Sequence, residues 1–127
     1  MKDFFDKQEW DNEILTFLVL CSPEDAAFMS TPAKKRKAED YVRLMTLALV
    51  FGFRRVSMRV LQEAEEKGAD IFPALERAEK DFSLVRGWVE AFIANVQDGE
   101  LRAFVREEWE KKLASVDAAN FHLKQLF

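Results

Sequence analysis

The chain is poor in the residues that carry most site chemistry. It has one cysteine and one histidine among 127 residues. A single thiol, Cys21, forms no disulfide within the chain, which fits a reducing compartment. Zinc requires three or four Cys, His or carboxylate ligands, so a zinc site is not expected. No Glu-x-x-His pair is present for a di-iron bundle. No Gly-x-Gly-x-x-Gly and no Gly-Lys-Ser/Thr phosphate loop occurs. Four glycines and three prolines leave few turns and favour long helices. Long hydrophobic runs are missing as well. The longest, residues 44–53, is interrupted by Thr46 and Gly52 and falls far short of the ~20 residues a membrane span needs. The stretch ILTFLVLC superficially resembles a signal segment. Asp3, Asp6, Glu9, Asp11 and Glu13 precede it where such a signal needs positive charge, so no signal is expected.

What is abundant is apolar and charged. Hydrophobic residues make up 49% and charged residues 33%, a balance that excludes a disordered or membranous chain. The length fits one domain over residues 1–127. Twelve phenylalanines against one tyrosine supply aromatic bulk without a polar tip, suited to a dry core or a dry contact surface. The net charge of −4 is segregated along the chain. Residues 1–31 carry 2 basic and 7 acidic side chains, residues 32–61 carry 8 and 2, and residues 62–127 carry 9 and 14. A basic block thus lies between two acidic ones.

Apolar periodicity is helical throughout. Trp10, Ile14, Phe17, Leu18 and Cys21 predict a first helix over residues 2–20, ended by the Ser22-Pro23 pair. Ser22, Pro23, Glu24 and Asp25 then read as the start of a short helix reaching Ser30. Thr31 and Pro32 repeat that grammar and open a pattern that runs to Gly68, a left-handed C-cap candidate. Such a helix would be about 50 Å long, too long for a small domain. Gly52 is its weak point, and a kink or break is expected there. Leu75, Ala78, Phe82, Val85, Val89, Phe92 and Val96 form an uninterrupted heptad seam and predict one third helix, with Leu84, Trp88 and Ala91 as a second stripe and Gly99 as its C-cap. Leu101, Val105, Trp109, Leu113 and Val116 predict a last helix that continues through Ala119, Leu123 and Phe127, bent at Ser115. No run has strand alternation. The predicted fold is all-α: a compact helical bundle of four main helices plus one or two short ones, its long central helix kinked or broken near Gly52.

No nucleophile has its own base in view, and no catalytic, metal or cofactor site is expected. The carboxylate pairs Glu63/Glu66 and Glu76/Glu79 and the cluster Glu107, Glu108, Glu110 each have a lysine nearby and read as solvated helix faces. His122 reads as a surface or packing residue, and Cys21 as a buried inert thiol. The sequence KKRK, residues 34–37, resembles a nuclear-import signal, and RRVS, residues 54–57, resembles a basophilic kinase site. Cations at a helix start oppose its dipole, so either the acidic first helix or an anionic partner should compensate them.

The stretch YVRLMTLALVFGF, residues 41–53, is apolar nearly all round, the mark of a central buried helix. Leu44, Leu47, Ala48 and Phe51 make one face, while Met45, Leu49 and Phe53 make another. Together with Trp10, Trp88 and Trp109 this is more apolar surface than a small bundle readily covers, which points to a contact surface. The expected function is that of a non-enzymatic intracellular regulatory protein, cytoplasmic, or nuclear in a eukaryotic source. It docks an apolar helical face rimmed by charges against a protein partner or, as a homodimer, against itself. The residues expected to carry that contact are Phe51, Phe53, Arg54, Arg55 and Met58. The second reading is a nucleic-acid-associated regulator using Lys34, Lys35, Arg36, Lys37 and Arg59 with the arginine pair. The third is a carrier of small hydrophobic ligands.

Overall fold

A computed structural model describes residues 12–21 and 37–127. These form six α-helices: α1 (Asn12–Leu20), α2 (Ala38–Val50), α3 (Arg54–Glu66), α4 (Phe72–Lys80), α5 (Phe82–Ala94) and α6 (Gly99–Leu113). Two 3-10 turns follow, Ala118–Asn120 and Leu123–Leu126. Among the described residues there is no strand, and the fold is all-α. Among the described residues, no helix is long and apolar enough to cross a membrane. The expected short helix over residues 22–30, the Thr31-Pro32 start and the residues Lys34, Lys35, Arg36 and Trp10 lie outside the described residues.

α2 is the hub. Tyr41, Val42, Leu44, Thr46, Leu47, Ala48 and Val50 are buried, and the remaining residues of 41–50 are half-buried. It packs against α3, α4 and α5, as a helix apolar on every side must if water is to be excluded. Asp40 accepts a hydrogen bond from the Lys37 backbone N–H at 3.3 Å and so ties down the helix start.

The long central pattern breaks at Gly52, where the sequence placed its weak point. The geometry is a Schellman motif. The Gly52 N–H donates to the Leu49 carbonyl at 3.1 Å and the Phe53 N–H to the Ala48 carbonyl at 2.7 Å. Gly52 sits at φ +84, a conformation in which a Cβ is strained. Gly68, at φ +70, ends α3 in the same way, with the Ala69 N–H donating to the Ala64 carbonyl at 2.9 Å.

Two long helices of the sequence reading prove shorter. The seam from Leu75 to Val96 is divided at Asp81, whose backbone leaves the helix at ψ 88. Its carboxylate accepts from the Leu84 N–H at 3.1 Å and starts α5. Aspartate competes for backbone donors in this way, and the apolar spacing runs on across the break unaware of it. Gly99 is the first residue of α6 rather than a C-cap. Asp98 caps that helix by accepting from Glu100 and Leu101 N–H groups at 2.9 and 3.0 Å.

The tail does not continue α6. Asp117 accepts from the Ala119 and Asn120 N–H groups, and Gln125 bridges the backbone of Asp117 and Asn120. This folds the tail back. Phe121, Leu123 and Leu126 become buried, with Phe121 against Phe82 at 5.1 Å between ring centroids. A straight helix would have carried these side chains into solvent.

Candidate interaction groove

Four phenyl rings meet where α1, α2 and α5 converge. Phe17 stacks on Phe92 at 5.8 Å, Phe51 stacks on Phe92 at 5.4 Å, and Phe53 meets Phe17 edge-on at 5.3 Å. Such pairs contribute about 0.5–1.5 kcal/mol each beyond their burial. Phe17 and Phe92 are buried, whereas Phe51 and Phe53 are half-buried because their outer sides form the floor of a groove.

The groove has a volume of about 700 Å³. Thr16, Val19 and Leu20 of α1 form one wall, and the end of α2 with the Gly52 turn forms the floor. Leu101, Phe104 and Val105 of α6 form the other wall, and Phe127 also lines the groove. Three charged side chains edge it: Arg54 from α3, and Glu108 and Lys112 from α6. The Lys112 Nζ donates to the Leu126 carbonyl at 2.8 Å, and Glu108 lies 3.4 Å from the Lys111 Nζ. Gly52 contributes bare backbone, since a Cβ built there meets nothing within 4 Å.

Four large apolar side chains on this groove are open to solvent: Val19 (62%), Phe104 (60%), Phe127 (53%) and Leu101 (36%). Among the described residues, the other exposed large apolar side chains, Leu15, Met58 and Phe72, do not line it.

The expected contact residues divide. Phe51, Phe53 and Arg54 line the groove, while Arg55 and Met58 lie on α3 outside it. Successive helical residues differ by about 100°, which places one arginine of the pair at the apolar surface and turns its neighbour away. Sequence reasoning missed Phe104 and Leu101. The signal available was Phe104, an aromatic residue one position off the apolar spacing Leu101, Val105, Trp109 and three residues from Leu101.

An acidic side chain of α1 compensates the start of α3. The Val56 N–H donates to the Glu13 carboxylate at 2.9 Å. Phe53, at the N-cap position, offers no side-chain acceptor, and the first turn of α3 holds Arg54 and Arg55. A carboxylate 43 residues upstream therefore supplies the cap, complements the helix dipole and offsets the two cations.

Lys37 and the arginine pair of the basic block are held apart. Lys37 precedes α2 and Arg54 and Arg55 follow it, so a helix of 13 residues, about 20 Å long, separates them. Arg59 is half-buried. Ser57 is only 5% exposed, so the RRVS stretch is closed to a kinase in this fold. Glu63, expected on a solvated face, is 2% exposed and belongs to the buried face of α3 with Val56, Val60 and Ala64. Cys21 is buried and His122 is exposed. Among the described residues no group of three His, Cys, Asp or Glu side chains could hold a metal ion.

Comparison with protein-family models, curated proteins and solved structures finds no match for this chain.

Proposed function

We propose that the chain is a non-enzymatic interaction protein whose groove between α1, the Gly52 turn and α6 receives an apolar segment of a protein partner. One observation carries the reading: Val19, Leu101, Phe104 and Phe127 leave their apolar surface open around a phenyl floor, and Arg54, Glu108 and Lys112 edge it. Exposed apolar surface concentrated in one place costs about 25 cal/mol per Å² until something covers it. A helix presenting residues at i, i+3, i+4 and i+7 matches a groove of this kind. Nucleic-acid binding ranks lower, because Lys37 and the Arg54-Arg55 pair lie at opposite ends of α2 and Arg43 and Arg59 are half-buried. A small hydrophobic ligand is the second reading, since about 700 Å³ falls within the range of small-molecule sites.

The test is site-specific photo-crosslinking in the native host. A benzoylphenylalanine at position 104 should give a protein adduct, and the same group at the exposed Glu79, away from the groove, should not. Equal labelling from both positions, or a small-molecule adduct alone at 104, contradicts the reading.

A further inference from the structure

We infer that the groove's partner is a second copy of this chain, the two copies meeting about a two-fold axis beside Phe104. The inference rests on the docking reading of the groove and adds the identity of the occupant. An interface between identical chains about a two-fold must be self-complementary: every protrusion on the patch needs its own recess on the same patch. This surface has both. Phe104 stands out from α6, 60% exposed, and the recess floored by Phe51, Gly52 and Phe53 lies beside it. An axis between protrusion and recess seats each copy's Phe104 in the other's groove.

Charge makes the same demand. A rim of one sign repels its own copy, as like charges brought together across an interface do. This rim carries both signs, Arg54 and Lys112 with Glu108 between apolar walls. A two-fold can therefore set Glu108 of one copy near Arg54 of the other, while the apolar walls close over the floor. The residues that cover the surface are those already on it, so no feature of a foreign partner has to be supplied.

The test is sedimentation equilibrium of the full chain at micromolar concentrations. The expected mass is twice 14.8 kDa. Phe104→Glu should raise the dimer dissociation constant by about thirtyfold or more, the effect of losing one central side chain, with unchanged helical circular dichroism and an unchanged melt. Phe104→Leu should retain most of the association. Phe72→Glu, which alters an apolar residue 70% exposed and outside the groove, should leave the dimer as it was. A chain monomeric at every concentration overturns the inference, as does a dimer that resists Phe104→Glu or yields to Phe72→Glu. If the chain is monomeric yet crosslinks another protein from position 104, the second-copy inference falls and the docking reading stands. If it neither associates nor crosslinks a protein, both fall.

Discussion

Glu90 joins two helices through both of its carboxylate oxygens. The buried Trp109 Nε1–H donates to one at 3.1 Å and the Arg106 guanidinium to the other at 3.2 Å. The Arg106 pair is half-exposed and contributes little by itself. The indole is different, because Trp109 is 0% exposed and its N–H depends on an acceptor. Glu90→Ala should therefore cost about 1–3 kcal/mol, the penalty of an orphaned buried donor. Glu90→Gln keeps an oxygen in place and should cost less. Urea melts of the two variants would show the order. Phe53 is the second informative residue. It meets Phe17 on its inner side and the groove on its outer side. Phe53→Ala should lower stability by about 2–4 kcal/mol as well as weaken docking, so a thermal melt must accompany any binding assay. Phe104 has no such double role, which makes it the cleaner probe of the groove.

The turns and caps determine where the helices stop, and glycine substitutions report on them in opposite directions. At Gly52, φ is +84 and the space around an added Cβ is open, so the strain of Gly52→Ala comes from the backbone alone. Loss of about 1–2 kcal/mol is expected. Gly87 lies inside α5, exposed, also with open space, and without a positive φ. Gly87→Ala should stabilise by about 0.5–1 kcal/mol, because alanine loses less entropy in a helix. Calorimetry of both variants checks the signs. The attachment of α1 can be read separately. Glu13→Ala removes the acceptor for the Val56 N–H and should cost about 0.5–2 kcal/mol. Hydrogen exchange at Val56 should quicken more than exchange at Val89 in α5. Equal acceleration at both would mean that the carboxylate acts on global stability and not on the start of α3.

Across the whole molecule, the segregation of charge seen along the chain becomes contact in one place and separation in another. α1 meets the start of α3 through Glu13, while Lys37 and the arginine pair are held apart by α2. Binding to DNA or RNA should accordingly be weak and fall by orders of magnitude between about 50 and 200 mM salt, as expected of contacts made to phosphates alone. A salt-resistant, sequence-specific complex in a filter-binding or anisotropy titration would reverse the ranking of the two functional readings.

The local chemistry of the sequence settled the helical class, the central place of residues 41–50 and the break at Gly52. Apolar period, an all-round apolar helix and a glycine in a helical pattern are each legible over a few turns. So was part of the groove: the Phe51, Phe53 and Arg54 floor and edge could be named because they flank that break. Asp81 and the tail were not legible in the same way. Their apolar spacing continues through both, and it is a carboxylate captured by Leu84 N–H and the burial of Phe121, Leu123 and Leu126 that end the helices. Glu63 looked solvated because its neighbours in sequence are charged, yet the side of α3 that faces the core includes it. The cap from Glu13 to Val56 and the wall formed by Leu101 and Phe104 join residues more than forty positions apart. No periodicity reports such a meeting, since it follows from how the helices pack and not from where their apolar residues recur.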